Sequence, residues 1–269
     1  MVLTFVVIIV LAPFMYMCHE LNQWGHLNKP EGFDWPAYSE FWILAVATVA
    51  CYTSKILTEK LTYSIFAVWC KEQNDLEAKH KRVLKMCRNF WSMCYFICVS
   101  TYGYIVLKDS DWLPWFFGGT GSVDACFKGA PFVVPAPGSR RYALITMGYH
   151  LNELISHLTA KEKHNDFYEM MLHHFCAVGL FLGMIIANFL APGCIIIFLH
   201  DFTDIFAGLT KFLSCTKNDG LTVVVFLNTI AFWFWCRNVW FTNIVYRLWF
   251  DFIPAPMYPA ELQRYTFIP

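Results

Sequence analysis

The stretch Asp166-Phe167-Tyr168-Glu169-Met170-Met171-Leu172-His173-His174, followed after a long apolar passage by His200-Asp201-Phe202-Thr203-Asp204, decides how this chain is read. From Phe175 to Leu199 no residue carries a charge. Placing a charged side chain in hydrocarbon costs about 2.5 to 3.5 kcal/mol on insertion scales, so imidazoles and carboxylates inside apolar helices are kept for a task. Helical spacing says which of them can meet. Asp166, Met170 and His174 fall on one stripe, Glu169 and His173 on the next, and adjacent residues diverge by about 100°. His200 and Asp204 are an i, i+4 pair, with Asp201 three residues before Asp204. The short link near Ala191-Pro192-Gly193 predicts that the two helices run antiparallel, so that one His faces one Asp across a bundle.

Composition agrees with a membrane setting. Of 269 residues, 57% are hydrophobic, 19% aromatic and only 15% charged, and the mean hydropathy is +0.43. Soluble domains hold about 45 to 50% apolar and about 25% charged residues, so the expected fold class is all-α, a polytopic membrane helical bundle. The formal net charge is zero, which argues against a nucleic-acid partner. Eleven cysteines are scattered, mostly within apolar runs, and no C-x-x-C pair or Cys-His cluster of zinc spacing occurs. They read as small buried hydrophobes. Cys126 lies in a polar loop.

About seven transmembrane helices are expected. Residues 1–17 are apolar and uncharged, with neither a basic leader nor a small-residue cleavage site, and read as a retained short helix bent at Pro13. A link from Cys18 to Ala37 follows, closing an N-terminal segment 1–37 ahead of the main membrane domain, 38–269. The further spans are Tyr38 to Leu57, Phe90 to Leu107, Tyr142 to Leu158, Phe167 to Asn188, Gly193 to Leu213 and Leu221 to Trp249, while Leu61 to Cys70 is too short to cross. Lys79, Lys81, Arg82, Lys85 and Arg88 crowd the end of a charged helical segment that marks the inner surface. The basic loops at 58–88, 160–166 and 211–219 share that side, which places the N-terminus inside and the C-terminus outside. Trp112, Trp115, Phe116 and Phe117 suit an interfacial aromatic belt. The span Tyr142 to Leu158 carries His150, Glu153 and His157 on one face, which must look inward.

The pattern Asp-Phe-x-Glu-Met-x-x-His-His, then His-Asp-x-x-Asp and Lys211, resembles the Lag1 motif of ceramide synthases, within the TRAM/LAG1/CLN8 (TLC) membrane family. The resemblance extends more faintly from about Lys81 to Tyr258, through Asn89-Phe90-Trp91 and the helix around Tyr149 to Tyr258-Pro259-Ala260-Glu261-Leu262. It implies a TLC-type bundle that joins a fatty acyl group from acyl-coenzyme A to the amine of a sphingoid base, in the endoplasmic reticulum. It also implies catalytic roles for His173 and His174 and an orienting carboxylate role for Asp201 and Asp204. His150, Glu153, His157, His200 and Lys211 are the candidates for substrate binding. An imidazole works near neutral pH either as a general base toward the amine or as a nucleophile through an acyl-imidazole, and a partner on its other nitrogen fixes the tautomer. No cofactor is expected beyond acyl-coenzyme A as substrate, and the partners expected are membrane lipids and, if the chain is active, its acyl-CoA and sphingoid base. His173, His174, His200, Asp201 and Asp204 are also ligand types for iron or zinc, but two helices supply fewer histidines than membrane hydroxylases use, so no metal is expected.

The chain departs from the family pattern at Ala177, where the resemblance calls for Thr, at Ala191, where it calls for Arg, and at Gly208, where it calls for an acidic residue. It is also expected to lack the helix that follows the Tyr-Pro-x-Glu-Leu stretch. A missing Arg removes a bidentate anion donor that no neutral residue replaces. These departures support a second reading, a catalytically silent, lipid-binding TLC-fold subunit of a larger membrane complex with protein partners, for which the mitochondrial inner membrane is the alternative location.

Overall fold

A computed structural model describes residues 12–35, 38–129, 132–160 and 167–247. The described elements are helical: α1 (Ala12–Asn28), a short 3-10 turn (Tyr38–Glu40), α2 (Trp42–Trp69), α3 (Leu76–Leu107), two further 3-10 turns (Trp115–Phe117 and Val123–Cys126), α4 (Ser139–Leu158), α5 (Phe167–Ile186), α6 (Leu190–Leu213), α7 (Asp219–Trp233), a π-helical stretch (Phe234–Trp240) and α8 (Phe241–Arg247). The chain is an all-α polytopic membrane protein. Among the described residues, five helical segments are long and apolar enough to cross a membrane: Tyr38–Trp69, Leu76–Leu107, Phe167–Ile186, Leu190–Leu213 and Asp219–Arg247.

The expected spans differ from this in four places. The segment after Leu57 does not break: α2 continues to Trp69 in one run, because nothing between Thr58 and Trp69 is Gly or Pro. The expected link from Cys18 is helical as far as Asn28. Tyr142 to Leu158 is helical, within α4, but its polar side chains keep it below the apolar content of the other five. Pro192 and Gly193 belong to the first turn of α6 instead of forming the link. The turn is made by Asn188, which takes a left-handed φ of 57°, a conformation that Asn tolerates better than most residues. Its side-chain Nδ2 donates to the Val133 carbonyl at 3.0 Å. The expected first span begins outside the described residues, as do the last residues of the expected seventh.

The chain forms two compact units, one of Met1–Thr48, Val106–Ile195 and Ile244–Pro269, the other of Val49–Ile105 and Ile196–Asn243. In the first, α4 and α5 pack side by side. A Cβ on Gly148 of α4 would lie 2.7 Å from the Ala47 Cβ and 3.1 Å from the Thr48 backbone nitrogen, so only glycine permits that approach to the start of α2. Phe132 stacks on Trp24 at 5.7 Å and meets Phe33 and Trp35 edge-on at 5.6 Å each. Trp35 Nε1 donates to Asn22 Oδ1 at 3.2 Å, which satisfies the indole of a fully buried Trp. Arg140 Nη1 lies 3.4 Å from Asp34 and 3.3 Å from Glu40. Of the aromatics expected at an interfacial belt, Trp115 and Phe116 are exposed, while Trp112 is buried and belongs to the core.

In the second unit Phe212 and Phe90 each meet Phe66 edge-on, with ring centres 5.0 and 5.3 Å from it, over Val83, Met86, Cys87 and Cys215. The Asp75 carboxylate caps α3 by accepting from the Glu77 and Ala78 amides at 2.9 and 3.2 Å, which fixes the start of that helix. Asn218 does the same for α7 through the Leu221 amide at 3.2 Å. Trp91 Nε1 donates to Ser54 Oγ at 3.0 Å, tying α3 to α2. Phe206 stacks on Phe232 at 4.8 Å, and the Thr210 and Thr229 hydroxyls share a hydrogen bond of 2.8 Å, joining α6 to α7. The outward faces of α2 and α7 carry exposed Val49, Leu57, Leu61, Val223, Phe226 and Leu227. Such faces suit hydrocarbon.

Candidate functional site

The first unit gathers histidines from α4 and α5. His150 and His157 stand seven residues apart on one face of α4; His173 and His174 are neighbours on α5. The pair differs in exposure: His174 is buried and His173 is exposed. Both rings nonetheless approach His150, with ring centres 5.4 Å away for His174 and 6.0 Å for His173, and 5.1 Å between the two neighbours. His150 Nδ1 and His174 Nδ1 lie 3.2 Å apart, close enough to share a proton. His157 stacks against the other side of the group, 5.5 Å from the His174 ring and inclined to it by 29°.

Apolar rings close the group in. Phe181, about two turns further along α5 than His174, sits 5.4 Å from His150, Tyr149 meets His150 edge-on at 5.4 Å, and Phe167 meets His157 edge-on at 6.4 Å. The Glu153 carboxylate accepts from Asn152 Nδ2 at 3.1 Å. His150 gives buried His174 a hydrogen-bonding partner from the neighbouring helix. Only its place among the apolar residues of α4 marked it out in the sequence, and its meeting with His174 depends on how two helices are rotated against each other. Asp166 and residues 161–165 of the expected basic loop lie outside the described residues.

The second unit holds the remaining candidates. His200 Nδ1 donates to the Ile196 carbonyl at 2.7 Å, one turn back in α6, and its ring meets Phe241 edge-on at 5.4 Å. Asp201 is buried. Asp204 is held by Arg237 Nη2 in an ion pair. The same nitrogen donates to the His200 carbonyl at 3.1 Å, and Arg237 Nε donates to Thr203 Oγ1 at 2.9 Å. Arg237 stands in the π-helical stretch Phe234–Trp240, with its guanidinium 5.9 Å from the centre of the Trp233 ring. No functional role for Arg237 followed from the sequence; the signal was present as a cation in the middle of an apolar helix, which demands a partner. Lys211 is exposed at the end of α6.

Two of the departures from the family pattern lie at closely packed positions. Ala191 is fully buried at the start of α6. A Cβ on Gly208 would lie 3.2 Å from the Met93 Cβ and 3.3 Å from its Cα, so a larger side chain there needs α3 to give by a few tenths of an ångström.

The profile of the TRAM/LAG1/CLN8 family, the TLC domain, matches residues 85–268. Ceramide synthase hyl-1 of Caenorhabditis elegans is 28% identical over 172 residues, covering 63% of this chain and 44% of that protein. Human ceramide synthase 5 is 24% identical over 173 residues, covering 64% and 42%. ASC1-like protein 3 of rice is 23% identical over 214 residues, covering 76% and 72%. This chain therefore spans less than half the length of the two ceramide synthases. A profile match over more than half of the residues fixes the kinship: the chain belongs to the TLC domain family.

Proposed function

We propose that this chain is a ceramide synthase-like N-acyltransferase of the endoplasmic reticulum membrane, joining a fatty acyl group from acyl-coenzyme A to the amine of a sphingoid base. The observation that carries the reading is the 3.2 Å contact between Nδ1 of His150 and Nδ1 of buried His174. When His174 donates through Nδ1, its Nε2 presents a lone pair, and His150 stabilises the positive charge that develops on the ring. An oriented imidazole of this kind acts as general base toward the attacking amine or as nucleophile toward the thioester. His173, on the exposed flank of the same group, is the second catalytic candidate. The ceramide synthase names of the relatives supply the substrate class.

The test is an acyl-CoA and sphingoid-base assay on the full chain purified in mild detergent, with His173→Ala and His174→Ala compared with the parent. Ceramide formation abolished by the His174 change supports the reading. Unchanged formation in both variants overturns it.

A second reading, a catalytically silent TLC-fold subunit that binds lipid within a larger membrane complex, is favoured by buried Ala191 and by the tight seat of Gly208. Co-purification with stoichiometric partners and no turnover in the same assay would select it.

A further inference from the structure

We propose that His150, His173 and His174 form a binding site for a divalent transition metal of the zinc class. One ligand nitrogen from each ring can be chosen so that all three lie within 4.8 Å of one another. Zinc takes imidazole nitrogens at about 2.0 to 2.1 Å in tetrahedral geometry, which sets neighbouring nitrogens about 3.3 Å and ring centres about 5 Å apart. The His150 and His174 nitrogens already stand at 3.2 Å. The three ring-centre separations of 5.1, 5.4 and 6.0 Å fall at or slightly above the tetrahedral value, so a small inward rotation of exposed His173 completes the triangle.

The arrangement differs from the His and Asp set from which no metal was expected, because all three ligands come from α4 and α5 in one compact unit. Neutral imidazoles with no carboxylate among them suit zinc, cobalt or copper and not calcium or magnesium, which need oxygen ligands. Three imidazoles leave a tetrahedral ion's fourth position for water or a small ligand. Binding needs no net loss of protons: the hydrogen between His150 and His174 moves to the other nitrogen of the ring that carries it, and both rings bind as neutral donors. His157, stacked on His174, holds that ring from behind without offering a ligand atom to the group.

One consequence rests on the acyltransferase reading: an ion on His174 occupies the ring that the reaction needs, so metal occupancy and turnover exclude each other. The two proposals separate experimentally, because binding is read without activity.

The experiment is titration of chelator-stripped full chain in detergent with cobalt(II), read by visible absorption, and then with zinc(II), read by displacement of the cobalt and by equilibrium dialysis. Expected are the intense visible bands of four-coordinate cobalt, one ion per chain, and loss of those bands in His150→Ala and in His174→Ala, with His200→Ala unaffected. Circular dichroism of each variant confirms that it is folded. If a variant misfolds, the parent chain still decides: absence of four-coordinate bands, or more than one ion bound with no saturable step, overturns the site. Bands that persist in the folded His150→Ala, His174→Ala double variant overturn it too, as does their loss in His200→Ala. Turnover inhibited by zinc in step with occupancy supports the linked consequence, and turnover unaffected at full occupancy refutes that consequence while leaving the binding site intact.

Discussion

Arg237 closes on Asp204 as an ion pair within two helical segments apolar enough to span a membrane. The guanidinium also bonds to the His200 carbonyl and to Thr203 Oγ1, so one side chain ties the π-helical stretch to three residues of α6. The pair is only half-buried, so breaking it from one side costs less than the roughly 3 to 5 kcal/mol of a fully buried pair. Arg237→Ala is expected to lower the thermal unfolding midpoint markedly in detergent. Arg237→Met combined with Asp204→Asn should recover most of that loss, because neither partner is then left charged. Differential scanning fluorimetry of the two variants measures both effects, and a double variant no better than Arg237→Ala would contradict the pairing.

His150 should matter to turnover without touching the acyl group. A positioned acid or base contributes about 10² to 10⁴ in rate. His174→Ala is expected to lose activity in that range, and His150→Ala to lose less, chiefly in kcat with KM nearly unchanged. His150→Gln, which keeps a hydrogen-bonding group on that side chain, should recover part of the loss. The ceramide-forming assay gives both constants, and a change confined to KM would assign His150 to binding instead.

Gly148 sets the spacing of α4 against the start of α2. Adding a methyl group puts a Cβ 2.7 Å from that of Ala47, neither of which can rotate away. Overpacking of this size costs about 1 to 3 kcal/mol. Because His150 stands two residues on, Gly148→Ala should also lower turnover, and paired measurements of melting temperature and activity check the two effects together.

Cys126 offers a prediction in pH. Burial in the loop before α4 pushes its thiol up to about 12, from an ordinary value near 9. Above pH 9 the unfolded chain has released this proton and the folded chain still holds it, so stability falls as pH rises from about 9 toward 12 and is unaffected by this group below. The native thiol should resist maleimide at pH 8 and react once the chain is unfolded. Mass-spectrometric mapping of labelled cysteines checks it, and rapid native labelling of Cys126 would contradict its burial.

The helical, membrane-spanning character was legible from the run Phe175 to Leu199 and its flanking polar residues, because hydrocarbon tolerates only backbone that satisfies its own hydrogen bonds. His173 and His174 differ in exposure, one exposed and one buried, in keeping with the step of about 100° between neighbours. The end of α2 was misplaced because a charged patch at Thr58-Glu59-Lys60 reads like a loop, whereas helical backbone continues through exposed charges without penalty. Pro192 was placed in the link because proline usually ends helices, yet the first turn has no intrahelical acceptor for its missing N–H.

Sequence alone determined what each helix carries and which residues share a face, since both depend on the fixed rise and rotation of the α-helix. It did not determine partners. That His174 meets His150, 24 residues away, and that Asp204 meets Arg237, 33 residues away, was decided by tertiary packing. The physical reason is that the rotation and axial register of one helix against another depend on side-chain volumes along the whole contact, such as glycine at 148, and no local spacing rule contains that sum.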